Sequence, residues 1–136
     1  MFPKVALAMA MTLCVGLALG ASPASANIKV DAALMKTLDP DNDGTVDLAE
    51  AKAAAATQFK KLDTDHDGTL DAKELKGDLS GSAFKAADPD HDGTLDLDEY
   101  TALIEKEFKA ADPDNDGTLD KAELQSKQGQ ALLKLI

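Results

Sequence analysis

The sequence contains no tryptophan and no arginine, and it has one tyrosine, four phenylalanines and a single cysteine, Cys14. Aromatic residues make up 4% of its 136 residues, and much of the other apolar content is alanine. A chain of this length suits one small domain, in which so few large apolar side chains build only a thin core. Such a domain needs a further source of stability, because otherwise it stays disordered.

Basic charge is also scarce. The chain has 14 lysines against 25 acidic residues, which gives a formal net charge of −11. Nucleic-acid binding requires a basic face that displaces counterions from phosphates, so the composition argues against a nucleic-acid partner. An acidic chain with a thin core is either disordered or held together by positive ions. The distribution of the carboxylates distinguishes these two cases.

The first 26 residues have the pattern of a secretory signal peptide. Lys4 precedes an uncharged apolar run from Val5 to Leu19, and Ala24-Ser25-Ala26 has the small-x-small pattern of a cleavage site. The run of 15 residues is shorter than the ~20 that a transmembrane helix needs. We expect cleavage after Ala26, export to the periplasm, and no membrane association of the mature chain.

The mature chain predicted by this cleavage, residues 27–136, contains no cysteine, because Cys14 lies within the leader. Disulfides, thiolate zinc sites and cysteine nucleophiles are therefore excluded from it. We expect these residues to form a single metal-binding domain.

A twelve-residue acidic segment occurs four times, at intervals of 24 to 25 residues. Each copy has Asp at positions 1, 3, 5 and 9, Gly at position 6, Thr at position 7 and Glu at position 12. This is the pattern of the EF-hand calcium loop. We number the copies loops 1 to 4; they span residues 39–50, 63–74, 88–99 and 112–123.

The spacing of these residues suits a hard cation, which prefers six to eight oxygen ligands at about 2.3–2.6 Å. The five carboxylates and the backbone carbonyl at position 7 supply such oxygens, and the glycine permits the sharp turn between them. Aspartate at position 9 has a second role that is compatible with the first, as the N-cap of the following helix. The predicted metal ligands are Asp39, Asp41, Asp43, Thr45, Asp47, Glu50, Asp63, Asp65, Asp67, Thr69, Asp71, Glu74, Asp88, Asp90, Asp92, Thr94, Asp96, Glu99, Asp112, Asp114, Asp116, Thr118, Asp120 and Glu123.

Charge is strongly segregated along the mature chain. The four loops hold 21 of the 25 acidic residues and two lysines, whereas the rest of the mature chain has four acidic residues and 11 lysines. A generally acidic surface would not be divided in this way. Because the loops repel themselves without cations, we expect metal binding to be coupled to folding.

The connectors between the loops predict an all-α fold. Residues 51–62 and 100–111 contain neither Gly nor Pro, so each is expected to form one continuous helix that keeps its two loops ~18 Å apart. The middle connector, residues 75–87, contains Gly77 and Gly81 and is expected to turn. We predict a compact helical bundle on connectors of 12–13 residues, with loops pairing 2–3 and 1–4 rather than 1–2 and 3–4. The N-terminal segment and the C-terminal tail are expected to cover the ends of the core.

The carboxylate count bears on which metal binds. Five carboxylates overcompensate a divalent ion and gain from the third charge of a trivalent ion of similar radius, although a trivalent ion also costs more to dehydrate. Three loops begin with Asp-Pro, at Pro40, Pro89 and Pro113, whereas loop 2 has Thr64 there. With the leader, the short connectors and Asp at position 9, this pattern resembles the lanmodulin family, periplasmic lanthanide-binding EF-hand proteins of methylotrophic bacteria.

This resemblance implies selective binding of lanthanide(III) ions over calcium, folding on binding, and a role in lanthanide uptake or handling. Calcium is then the weaker or alternative ligand, and periplasmic lanthanide-handling proteins are candidate partners. Two other functions stay open, a periplasmic calcium buffer and a calmodulin-like calcium sensor. The sensor is the less expected, because such proteins use a Met-rich groove and the mature chain has only Met35.

Enzymatic activity is not expected. The two histidines, His66 and His91, both occupy loop position 4, where loops 1 and 4 have Asn42 and Asn115. Side chains at this position generally face solvent, so neither histidine is a predicted catalytic group or metal ligand.

Overall fold

The computed structural model describes residues 27–75 and 77–136. The predicted signal peptide, residues 1–26, and its cleavage site lie outside the described residues. Within the described ranges, no helix has both the length and the apolarity that a bilayer crossing requires. The described residues form, in order, α1 Ala32–Leu38, β1 Val46–Asp47, α2 Leu48–Leu62, β2 Thr69–Asp71, α3 Gly81–Ala87, β3 Thr94–Asp96, α4 Leu97–Ala111, β4 Thr118–Leu119, α5 Lys121–Gln125 and α6 Lys127–Leu133.

Both uninterrupted connectors form single helices, as predicted. The first becomes α2 and the second α4, each of 15 residues. The N-cap of each is the position-9 aspartate of the loop before it, Asp47 or Asp96, which accepts a hydrogen bond from the backbone N–H of that loop's Glu at position 12. That Glu accepts a bond from the N–H of the aspartate in return, so the pair forms a capping box that fixes where the helix begins.

The loops pair as predicted, 2 with 3 and 1 with 4. Strands β2 and β3 are antiparallel, with Leu70 opposite Leu95. Strands β1 and β4 are also antiparallel, with Val46 opposite Leu119. These four apolar residues at loop position 8 are completely buried, so each short ladder is anchored in the core by its central side chains.

The middle connector turns at the predicted glycines. Gly77 has a φ of +85°, a left-handed conformation that glycine adopts without steric cost. The N–H of Asp78 donates to the carbonyl of Leu75 at 2.8 Å within this turn. A new helix, α3, begins only at Gly81, after the N-cap Ser80. The chain therefore reverses between loops 2 and 3 and brings them together.

The core lies between α2, α4 and α6. From α2 it receives Ala51, Ala55 and Phe59, and the ring of Phe59 meets that of Tyr100 edge-on, with centroids 5.6 Å apart. Both segments predicted to cover the core contribute side chains to it: Leu38 of α1 is buried, and the tail buries Leu132, Leu133 and Leu135.

The two ends of the described chain are tied together by Gln130 of α6. Its side-chain oxygen accepts from the N–H of Ile28 at 2.6 Å, and its amide nitrogen donates to the carbonyl of Ile28 at 2.9 Å and to that of Leu124 at 3.2 Å. The Gln130 amide is largely buried and fully engaged. It therefore fixes the N-terminal segment and the helix after loop 4 relative to one another.

Tyr100 gives a prediction for alkaline pH. The Tyr100 side chain is fully buried and its hydroxyl donates to the carbonyl of Leu135 at 2.6 Å; burial, with a smaller contribution from the charge of Asp78, raises its pKa. In the unfolded chain tyrosine titrates near pH 10. The buried, protonated hydroxyl of Tyr100 therefore makes its full contribution to the stability of the folded state below about pH 10. This contribution is lost as the pH rises towards the folded-state pKa, because only the unfolded state then ionises.

We expect tyrosinate absorbance of the metal-loaded protein to appear above the normal pH range for tyrosine, and only together with loss of helicity. Tyr100 is the only tyrosine, so the signal has a single source. Phenylalanine at this position is expected to remove the absorbance change and cost about 1 kcal/mol of stability, since it leaves the Leu135 carbonyl unpaired. Titration of tyrosine near pH 10 in a folded protein would contradict this assignment.

Candidate metal centres

Each loop begins where one helix or turn ends, and its first ligand position is buried. Asp39, Asp63, Asp88 and Asp112 are at most 8% exposed. In every loop, oxygen Oδ2 of this aspartate accepts a hydrogen bond of 2.9–3.2 Å from the backbone N–H of the position-6 glycine. This bond alone joins the first and sixth residues of the loop and so folds the loop around its first carboxylate.

Position 4 of each loop has a left-handed backbone. The φ values of Asn42, His66, His91 and Asn115 lie between +56° and +61°. Asn and His adopt this region more readily than most residues, which accounts for their presence here. Both histidines are exposed, and neither belongs to a cluster of potential metal ligands among the described residues. Their predicted role as solvent-facing loop residues agrees with this placement.

The threonine at position 7 orients the aspartate at position 5. In each loop its N–H and hydroxyl both donate to the same carboxylate oxygen, at 2.7–2.8 Å. Bonds from the hydroxyl and the N–H of Thr69 lower the pKa of Asp67, and those of Thr94 lower that of Asp92. These aspartates are therefore kept in the charged form that binds cations.

Carboxylate oxygens converge at one point in each loop. In loops 2, 3 and 4, oxygens of positions 1, 3 and 12 lie within 4.8 Å of one another, whereas in loop 1 those of positions 1, 3 and 5 do so. Such a focus of oxygens is what a hard cation requires. The groups are Asp39, Asp41 and Asp43; Asp63, Asp65 and Glu74; Asp88, Asp90 and Glu99; and Asp112, Asp114 and Glu123.

The remaining predicted ligands lie outside these groups. The position-9 aspartates, Asp47, Asp71, Asp96 and Asp120, accept hydrogen bonds from the N–H of the glutamate at position 12. Position 9 thus orients the glutamate that closes the loop. Direct coordination by position 9 and by the position-7 carbonyl stays a prediction.

Some of the clustered carboxylates, Asp41 and Glu99 among them, have a raised pKa. A hydrogen bond shared with Asp39 raises the pKa of Asp41. The pKa of Glu99 is also raised: a bond from the N–H of Asp96 lowers it, but desolvation and the charges of Asp90, Asp96 and Asp88 outweigh that bond. A cation at the focus would reverse this balance, because it favours the charged form of every carboxylate around it.

Two buried carboxylate oxygens indicate where a cation fits. Oδ1 of Asp63 and Oδ1 of Asp88 are buried and have no hydrogen-bond partner. In loops 1 and 4 the equivalent oxygens of Asp39 and Asp112 accept from the position-5 N–H at 3.2 Å. An unpaired buried carboxylate oxygen is costly. A cation bound at the focus of loops 2 and 3 would supply the missing partner.

Loop 2 differs from the others at position 2. The N–H and the hydroxyl of Thr64 donate to Oε1 of Glu74 at 2.9 and 3.0 Å. The bond from the Thr64 N–H, followed by that from Asp71, lowers the pKa of Glu74, whereas the pKa of Glu50 is raised, chiefly by desolvation. Sequence reasoning missed this contact, although the replacement of Pro by Thr was its signal.

The fold and the four loops define a helical metal-binding protein. Three segments, residues 55–79, 82–104 and 103–126, match the model of the EF hand, and together they cover about half of the chain. The chain belongs to the EF-hand family. The matched segments include loops 2, 3 and 4, and loop 1 has the same sequence pattern and its own carboxylate cluster. Comparison with curated proteins gave no match.

The protein is therefore an EF-hand metal-binding protein with four candidate ion-binding loops. The EF-hand family consists of metal-binding and sensor proteins, and calcium-like ions are its ligands.

Proposed function

We propose that this protein binds lanthanide(III) ions in preference to calcium and folds when it binds them. The observation that carries the proposal is the density of carboxylates around each focus. Every loop has five carboxylates in ligand or capping positions. In each loop, three of these carboxylates have oxygens that lie within 4.8 Å of one another. This charge exceeds what a divalent ion neutralises.

Charge balance gives the direction of the preference. With five carboxylates in a loop, a divalent ion leaves a net charge of about −3 and a trivalent ion about −2. At an effective dielectric constant near 20, each carboxylate within about 4 Å of the ion gains about 4 kcal/mol from the extra charge. The higher dehydration cost of a trivalent ion opposes this gain. In Glu99 and Glu123 a backbone hydrogen bond lowers the pKa, but desolvation and then the neighbouring charges outweigh it and raise the pKa. An ion of higher charge offsets more of this cost.

The cellular setting is part of the proposal. The leader pattern of residues 1–26 supports export, and the resemblance to the lanmodulin family supports a role in periplasmic lanthanide uptake or handling. Periplasmic lanthanide-handling proteins are then the partners, and the mature protein works without a membrane or a nucleic acid. Its role is binding rather than catalysis.

A terbium titration in millimolar calcium tests the metal preference. Tyr100 directly follows the predicted ligand Glu99 and transfers excitation to terbium bound in loop 3. We expect sensitised emission to saturate at terbium concentrations far below that of calcium, with a parallel gain in helicity. The Tyr100→Phe variant is the optical control, which should lose the emission and keep the gain in helicity.

If millimolar calcium prevents terbium binding, the protein is a calcium buffer that uses the same ligands. A calmodulin-like sensor has less support from the structure. A groove of about 510 Å³ between α1 and α2 is lined by seven apolar residues, among them Leu34, Leu38 and Ile136, and by five polar ones, with no methionine among them. Such a surface lacks the adaptable thioether side chains that sensor grooves use.

A further inference from the structure

The four loops have the same residue types at every predicted ligand position but differ at position 2. Loops 1, 3 and 4 have proline there, and loop 2 has Thr64. Proline has no N–H to donate. The glutamate that closes each of those three loops is held through one oxygen only, by the N–H of the position-9 aspartate at 2.9–3.0 Å.

Loop 2 holds both oxygens of its closing glutamate. Oε2 of Glu74 accepts from the N–H of Asp71 at 3.2 Å, as in the other loops, and Oε1 accepts from both donors of Thr64. These two bonds join the beginning of the loop to its end, ten residues apart. Glu74 is at the same time within 4.8 Å of the carboxylates of Asp63 and Asp65.

We propose that the Thr64–Glu74 contact is a latch that places the closing ligand of loop 2 before the ion arrives, and that Thr64 is therefore a positioning residue for this site. This inference rests on metal binding by the loops. It assigns one of them a feature that the other three lack.

The latch is compatible with a bound ion. The two donors of Thr64 occupy both lone pairs of Oε1, and the N–H of Asp71 occupies one of the two on Oε2. The second lone pair of Oε2 stays free for an ion at the focus that Asp63 and Asp65 define. The buried oxygen Oδ1 of Asp63 in the same loop lacks any partner, so the ion remains necessary there. The latch thus stabilises the closed form of loop 2 without replacing its ligand.

A loop that is closed more often binds its ion with higher apparent affinity, because the ion selects the closed form. Two hydrogen bonds to a charged, partly exposed acceptor are expected to change the affinity of loop 2 by about tenfold. Loops 1, 3 and 4 lack both bonds and are not directly affected.

The test uses variants of Thr64 in the full protein. Thr64→Pro gives loop 2 the residue of the other loops and removes both donors, whereas Thr64→Val removes only the hydroxyl. Pro113→Thr places the same two donors at the start of loop 4, which pairs with loop 1 rather than with loop 2. Lanthanum(III) and, separately, calcium are titrated while the amide resonances of Gly44, Gly68, Gly93 and Gly117 report the loops individually.

We expect Thr64→Pro to weaken loop 2 about tenfold relative to loop 4, Thr64→Val to weaken it about threefold, and Pro113→Thr to strengthen loop 4. A merely structural role would shift all four glycine signals together. Equal loop 2 affinities in the parent and Thr64→Pro proteins would overturn the latch. The calcium titration tests the effect of the latch on affinity whether or not the protein prefers lanthanides. The latch can therefore be supported or overturned separately from the proposed selectivity.

Discussion

Removal of the metal by a strong chelator is expected to abolish most of the helicity of the protein and its cooperative thermal transition. Each loop concentrates carboxylates around one focus, and the core contains few aromatic side chains. A ligand at 100 times its dissociation constant stabilises the folded state by about 2.7 kcal/mol per site. Four such sites together contribute about 11 kcal/mol, which is comparable to the whole stability of a typical domain, about 5–15 kcal/mol.

Circular dichroism during chelation and metal return measures this effect, and sodium chloride is the control for simple screening. At 1 M salt the Debye length is about 3 Å, so salt alone relieves repulsion between loops but supplies no coordination. We expect salt to restore little helicity and stoichiometric metal to restore all of it. A spectrum unchanged by chelation would show that the bundle is stable by itself.

A matched pair of substitutions separates coordination from net charge. Glu99→Gln removes one negative charge from the cluster of loop 3, whereas Glu107→Gln removes one from α4, outside the loops. We expect the first to raise the metal concentration at the midpoint of metal-induced folding, because a neutral amide is a weaker ligand than a carboxylate, and the second to leave it unchanged. Equal effects would mean that total charge, rather than the site, controls folding.

The pairing of loops could be predicted from the sequence because it follows from continuity of the chain. Two connectors lack any helix breaker, and one contains Gly77 and Gly81, so only the middle connector can turn. The two strand pairs then follow from which loops the helices keep apart. All the carboxylates that converge are among the ligands that the repeat predicted, because their spacing is fixed within each loop.

The exact composition of each carboxylate cluster could not be predicted in this way. The loops have the same residue types at every ligand position, yet Asp43 joins the cluster of loop 1 where Glu74, Glu99 or Glu123 joins the others. Contacts between distant segments could not be predicted either. Gln130 bonds to Ile28, 102 residues away, and no local pattern indicates such a partner. These details depend on how the helices pack, which periodicity and motif spacing do not encode.

The tail contains the position where one methyl group is expected to have the largest effect. The chain bends at Ser126, which ends α5 and caps α6 by accepting from the N–H of Gly129 at 3.0 Å. Gly129 then lies directly on the preceding helix. A Cβ atom there would be 2.1 Å from the carbonyl oxygen of Glu123 and 2.5 Å from the Cα of Leu124. Both are backbone atoms, so no side-chain rotation relieves the clash.

Gly129→Ala is therefore expected to destabilise the metal-loaded protein by about 3 kcal/mol, measured by thermal unfolding in saturating calcium. Gly81→Ala is the control, since a Cβ at that helical position meets nothing within 4 Å and alanine favours a helix by about 0.5–1 kcal/mol. Glu123 is the predicted closing ligand of loop 4 and lies in its carboxylate cluster. In the Gly129 variant, loop 4, followed by the Gly117 resonance, should therefore need more metal for saturation than loop 2, followed by Gly68. If the two alanine variants unfold at the same temperature, α6 does not need its close approach to α5, and the tail is only a cover for the core.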